Sequence, residues 1–310
     1  MQKRDSYAKD KGAWCGLNRP DMNIDDVDVV VFGIPYDEGV SYRGGADEGM
    51  ATLRANTFCS TPFTETFKSF SKLTVYDAGD FIKKGKRDDY FKAIEDFVCD
   101  LVSKGKFFTM IGGDHSVTIP VQRGIDKAVD EDFGIIHIDA HFDLCDSLGG
   151  DRFSHGSTER RALELSNVSG TSNIYFVGIR SIEEDEFEFK RTNDIQVASS
   201  AYCHEVGIPK VAKDVIEAMS KFSKVYITLD IDCLDPAFAA GTGTPQFGGL
   251  YSRQVLDLIR YLFEGLNIIA MDIVEIAPEL DPSLTSMFAG RKILQESWGH
   301  VAKKLSKLEG

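Results

Sequence analysis

Short unbroken apolar runs alternate along this chain with longer segments whose apolar positions recur every three or four residues. Val29 to Phe32 is β-branched and aromatic throughout and stops at Gly33-Ile34-Pro35, which predicts a first buried strand. Leu73 to Tyr76, Phe107 to Ile111, Gly134 to Ile138, Asn173 to Val177, Asp194 to Ala198, Val225 to Leu229 and Ile268 to Ile273 read as further strands. Between them the period changes. Phe91, Ile94, Phe97, Val98, Leu101 and Val102 share one helical face, with Asp88 as the N-cap and Gly105 as the stop. Helices are also predicted at Met50 to Ala55, after Ser116, at Val211 to Phe222, at Arg253 to Phe263 and through most of the C-terminal segment.

Continuous apolar strands separated by helices predict a mostly parallel sheet of about eight strands with helices on both faces, a three-layer α/β/α architecture. An eightfold barrel has the same element count. Both arrangements put functional residues at the carboxyl ends of the strands. No linker or low-complexity stretch divides the chain, so residues 1–310 are expected to form one catalytic domain with residues 1–27 as an N-terminal arm. Ser41-Tyr42-Arg43-Gly44-Gly45-Ala46 reads as a flexible loop, and Leu144 to about Arg160 as a long functional one.

Charge changes the picture next. A formal net charge of -14 speaks against nucleic acid or an anionic membrane as partner and suits a cationic small molecule. No apolar run approaches the roughly 18 residues of a membrane span. The charged stretch Met1 to Trp14 lacks the apolar centre of a signal peptide, so a cytoplasmic location is expected. Cys15, Cys59, Cys99, Cys145, Cys203 and Cys233 are scattered without a C-x-x-C pair and read as reduced thiols, Cys145 and Cys233 as small buried residues.

Three strands end in metal-type ligands. The run Gly134-Ile135-Ile136-His137-Ile138 leads into Asp139-Ala140-His141-Phe142-Asp143, where an extended backbone would turn Asp139, His141 and Asp143 to one side. Phe107 to Ile111 leads into Gly112-Gly113-Asp114-His115, and Val225 to Leu229 into Asp230-Ile231-Asp232. Meeting at one sheet edge, Asp139, Asp143, Asp230 and Asp232 would repel one another unless about two divalent cations cancelled their charge. His115 and His141 complete an oxygen and nitrogen shell that suits manganese. Helix capping alone would explain strand-end Asp residues, but neither the alternate spacing nor the histidines. Paired ions lower the pKa of a water, so the chemistry is expected to be hydrolytic. His137 is read as a packed histidine directed away from the ligands, and His204 and His300 are given no catalytic role.

The blocks Gly112-Gly113-Asp114-His115-Ser116, Asp139-Ala140-His141-Phe142-Asp143 and Leu229-Asp230-Ile231-Asp232-Cys233-Leu234-Asp235-Pro236 resemble the signatures of the ureohydrolases, the arginase and agmatinase family. Ser154-His155-Gly156, Gly241-Thr242-Gly243-Thr244-Pro245 with Gly248-Gly249, and Asp272-Ile273-Val274-Glu275 extend the resemblance from about Val29 onward. It implies an open α/β/α sheet, two Mn2+ per chain, and hydrolysis of a guanidino group to urea and an amine. It assigns His115, Asp139, His141, Asp143, Asp230 and Asp232 as metal ligands. Asp143 would also pass a proton to the leaving amine, Glu275 would face the guanidinium, and His155 would shuttle protons. A homo-oligomer, trimeric or hexameric, is implied as well.

Arginases have an asparagine two positions after the last acid of the second block, and this chain has Cys145, a poor donor to a carboxylate. The resemblance is therefore nearer to agmatinases, from whose commonest pattern Phe142, Glu159 and Gln246 depart. Agmatine is the expected substrate. Guanidinobutyrate or another guanidino acid is the alternative, with Arg152, Arg160 or Arg161 receiving a carboxylate. A two-metal phosphoesterase and a catalytically silent relative are the rival readings.

Overall fold

A computed structural model describes residues 8–310; the first seven residues of the expected N-terminal arm lie outside the described residues. Eight strands form one parallel sheet: β1 (Val29–Ile34), β2 (Val75–Asp80), β3 (Phe107–Gly112), β4 (Gly134–Ile138), β5 (Ile174–Ile179), β6 (Gln196–Ser199), β7 (Val225–Asp230) and β8 (Ile268–Val274). Their spatial order is β2-β1-β3-β8-β7-β4-β5-β6. β2 and β6 are edges, so the sheet is open and the barrel alternative falls away.

Side chains leave each strand on alternate faces, and both faces are buried. Val29 and Val31 of β1 join one apolar cluster, while Val30, Phe32 and Ile34 join another across the sheet. The first cluster is closed by α1 (Gly49–Ala55), α6 (Ser200–Val206), α7 (Ile208–Met219), α8 (Ser252–Gly265) and α9 (Thr285–Lys304). The second is closed by α2 (Arg87–Ser103), α3 (Thr118–Ala128), the short α4 (Thr158–Ala162) and, at its rim, Phe189 of α5 (Glu184–Thr192). Among the described residues no helix is long and apolar enough to cross a membrane.

Some element ends differ from the sequence pattern for identifiable reasons. β2 runs on past Tyr76 into charged residues because the buried Arg54 guanidinium binds Asp77 at 2.7 Å and Asp80 at 2.6 Å. Asp88 does not cap α2: Lys86 is the N-cap, and Asp88 with Asp89 lies in the first turn, where a carboxylate meets the positive end of the helix. α7 starts at Ile208, ahead of the expected Val211, since Pro209 fits the first turn of a helix. The long loop after Leu144 is interrupted by a 3-10 turn at His155–Ser157 and then by α4.

Candidate metal and active centre

The carboxyl ends of β3, β8, β7 and β4 meet at the middle of the sheet. β3 is not a neighbour of β7 or β4, because β8 stands between them. That insertion carries Asp272 and Glu275 into the centre of the site.

After β3, Gly113 passes so close to Tyr36 that a Cβ there would sit 1.7 Å from the Tyr36 carbonyl oxygen. Only glycine fits. Asp114 then caps the next turn, its Oδ1 accepting the Ser116 N–H at 2.9 Å and its Oδ2 the Gly39 N–H at 2.7 Å. His115 is thereby aimed at β4 and β7. Its Nδ1 lies 3.0 Å from Asp139 Oδ2, 3.0 Å from Asp143 Oδ2 and 3.5 Å from Asp230 Oδ2. His141 Nδ1 lies 3.4 Å from Asp139 Oδ1 and 3.1 Å from Asp232 Oδ2. All six expected ligands are together, in two groups sharing Asp139.

They do not converge as an extended strand would bring them. β4 ends at Ile138, and Asp143 sits at φ 54°, in the left-handed region that a non-glycine residue enters only at a cost. The N–H groups of Glu159 and Arg160 in α4 hold that turn by donating to the Asp143 carbonyl at 3.0 and 3.1 Å. Glu275 is similarly left-handed, at φ 62°, and its N–H donates to the Gly113 carbonyl at 2.8 Å.

Buried polar atoms normally find partners. Here His115 Nδ1, Asp139 Oδ2 and Asp143 Oδ2 are buried with no hydrogen bond and lie together, and Asp232 Oδ2, likewise unpartnered, lies against His141 Nδ1. Burial, with Asp232 and Asp139 close by, pushes the Asp230 carboxyl well above the usual range. Unpartnered oxygen and imidazole nitrogen atoms, converging amid uncompensated negative charge, fit divalent cations.

The far side of His115 explains its aim. Asp272 accepts hydrogen bonds from Thr228 Oγ1 at 2.8 Å, Thr118 Oγ1 at 2.7 Å, the Leu229 N–H at 3.2 Å and the Tyr226 hydroxyl. Thr228 has thus given its hydrogen to Asp272, and its lone pair receives Nε2–H of His115 at 2.8 Å. The proton is fixed on Nε2 and Nδ1 is left bare for a metal. A Thr228→Val variant should keep the fold yet bind manganese about ten- to a hundredfold more weakly in a metal titration; unchanged affinity would show that this chain of bonds does not tune the ligand.

His137 corrects the sequence reading. Positions 137 and 139 have the same parity, so His137 lies on the ligand side, 3.2 Å from Asp139 and stacked on His115 at 5.0 Å. It is still packed: Nδ1 meets Glu159 at 3.2 Å and Nε2 the His141 carbonyl at 3.1 Å, so both nitrogens are taken. Glu159, also bound by Gln122 at 2.9 Å, is its buried counter-charge.

A cavity of about 130 Å³ opens over the cluster, lined by His141, Asp143, His155, Asp230, Thr244 and Gln246 and also by Cys145, Glu183 and Glu186. His155 Nδ1 lies 2.9 Å from Glu275 Oε1, which also accepts the His115 N–H at 3.0 Å. Burial opposes charge on His155, but Glu275 and Asp143 outweigh it and hold its pKa at about 9. A second cavity of about 310 Å³, at the opposite end of the strands beside Phe107 and Phe263, holds none of these residues.

The profile of the arginase family matches residues 27–298. The chain belongs to the arginase family. This ureohydrolase is 34% identical over 277 residues to an agmatinase of Bacillus anthracis, covering 88% of this chain and 92% of the relative. It is 31% identical over 278 residues to a guanidinobutyrase of Pseudomonas aeruginosa, covering 88% and 86%. The solved agmatine ureohydrolase of Thermoplasma volcanium superposes with a TM-score of 0.82 at 30% identity, covering 93% and 94%.

Several residues around the site were given no role by the sequence reading. Thr228 and Ser41 carry no pattern of their own. Asp272 offered a signal, a charge inside an otherwise apolar strand. Arg180, just after β5, donates to the carbonyls of Asp232 at 2.6 Å, Gln246 at 2.8 Å and Leu234 at 3.2 Å, tying the cavity loop to the end of β7.

Proposed function

We propose that this ureohydrolase converts agmatine to putrescine and urea, with two manganese ions held by His115, Asp139, Asp143 and Asp230 on one side and Asp139, His141 and Asp232 on the other. Bound divalent cations would make hydroxide available at neutral pH. Glu275 supplies a carboxylate for the guanidinium, its Oε1 already fixed by His115 and His155. Asp143, at the junction of cluster and cavity, carries a proton to the departing amine. His155 exchanges protons with solvent, an imidazole being the side chain whose ordinary pKa lies nearest neutrality.

One observation carries the choice of substrate: the cavity is lined by carboxylates and by no arginine. Glu183 and the buried Glu186 line it. Arg152 is bound to Glu164 at 2.7 Å, Arg161 to Asp146 at 2.8 Å, and Arg160 lies over the Phe189 ring at 4.3 Å. The Cys145 thiol spends its hydrogen on Asp185 at 3.3 Å. Burial, then Glu186 and Asp185, drive the Cys145 pKa far upward, so it stays neutral. Glu186 spends its oxygens on the Leu144 and Glu183 N–H groups at 2.7 and 2.9 Å, and burial raises its pKa to about 7. The exposed Glu183 is therefore the carboxylate left for a substrate ending in an ammonium, while one ending in a carboxylate finds no cationic partner.

Urea release from agmatine, arginine, guanidinobutyrate, guanidinopropionate and guanidine by manganese-loaded protein tests this. Arginine must bury an unpartnered carboxylate, a cost of several kcal/mol, so agmatine should lead in kcat/KM by at least about a hundredfold. Preference for arginine would refute the Cys145 argument. Preference for guanidinobutyrate would mean that an arginine turns inward on binding.

A further inference from the structure

We propose that the Ser41 hydroxyl is the proton relay between solvent and His155, an inference that rests on the reading of His155 as a proton shuttle. His155 is 9% exposed, and protein groups meet both ring nitrogens. Nδ1 faces Glu275, while Nε2 accepts the Ser41 backbone N–H at 3.0 Å and meets Ser41 Oγ at 2.8 Å. A shuttle must trade protons with water, and the nitrogen not engaged by Glu275 is covered by Ser41, an exposed residue that lines the cavity.

The two groups of Ser41 differ in what they can do. A backbone N–H only donates, so it matches the neutral ring with its proton on Nδ1. A hydroxyl donates and accepts, so it keeps its bond to Nε2 in both protonation states of the ring. When His155 takes up a proton, the Ser41 O–H bond breaks toward Nε2 as Oγ receives a proton from solvent water, leaving hydroxide in solvent. In the opposite direction Nε2–H passes its proton to Oγ while the hydroxyl hydrogen departs to water. No other reactant is needed.

The loop that carries Ser41, flexible by its composition, is pinned on both sides. Gly39 donates its N–H to Asp114 at 2.7 Å and accepts the His155 N–H at 3.0 Å, and a Cβ on Gly39 would come within 2.7 Å of Ser116 Oγ. Arg43 donates to the carbonyls of Gly243 at 3.0 Å and Thr242 at 3.1 Å. Ser41 is therefore held in register with Nε2 before substrate arrives.

Ser41→Ala removes the hydroxyl but keeps the backbone N–H, so His155 retains its position and tautomer. With the best guanidino substrate and dilute non-imidazole buffer, the manganese-loaded variant should lose at least about tenfold in kcat, with KM and metal content unchanged. Added imidazole should restore part of the loss, and Ser41→Thr should retain activity. In the metal-free full chain labelled with nitrogen-15 histidine, exchange of the His155 ring proton with water should slow in Ser41→Ala. Parental turnover of Ser41→Ala beside a defective His155→Ala would overturn the relay alone. Parental turnover in both would overturn the shuttle reading with it. A loss in Ser41→Ala that neither imidazole nor the threonine repairs would mark Ser41 as structural and overturn the relay equally.

Discussion

Asp230→Ala and Asp232→Ala proteins are expected to lose bound metal and urea release together. Asp230 stands 3.5 Å from His115 Nδ1, and Asp232 stands 3.1 Å from His141 Nδ1, so each variant strips an oxygen from a different group of ligands. Both carboxylates are buried, and removing either leaves the remaining charges without the cation they need. Metal analysis of the parent after manganese loading should approach about two ions per chain, the number that offsets four crowded carboxylates. Either variant should fall well short of that, and a chelator should abolish activity in the parent. Full turnover by metal-free protein would sink this reading of the centre.

The second large effect is expected at His155. Its ring nitrogens bond Glu275 and Ser41 rather than a proposed metal ligand, so His155→Ala should leave metal content unaltered. Turnover should nevertheless fall by about a hundredfold to ten-thousandfold, the range for loss of a general acid or base. That corresponds to about 2.7 to 5.4 kcal/mol of barrier. Small imidazole-like bases should restore part of the rate. Steady-state kinetics with metal analysis on the same preparation decides the matter: undiminished kcat would make His155 a bystander, and lost metal would make it a structural support.

The cluster of aspartates and histidines was legible in the sequence because each member is costly where it sits. Aspartates and histidines closing apolar strands need a compensating partner, and Asp139-x-His141-x-Asp143 with Asp230-x-Asp232 leaves few partners other than cations. The sheet was legible for a related reason. Strands such as Val29–Ile34 are apolar on both faces, which only a two-sided cover of helices tolerates. α5 was missed because its buried residue is the charged Glu186 and its one core contact, Phe189, is only part-buried, so no hydrophobic period announces it.

What the sequence determined, then, was the inventory of elements and the residues too expensive to leave unpartnered. Tertiary structure decided who their partners are. The insertion of β8 between β3 and β7 joins residues 113 positions apart, His115 and Thr228, and delivers Asp272 to them. Left-handed turns at Asp143 and Glu275 redirect side chains that an extended backbone would have sent elsewhere. Arg152, Arg160 and Arg161 were equally able on paper to receive a substrate carboxylate, and Asp146, Glu164 and Phe189 claim them. Periodicity and local charge are carried by neighbours along the chain. Strand order, backbone hand and the choice among competing ion pairs are settled by contacts far apart in sequence, which form only once the core has closed.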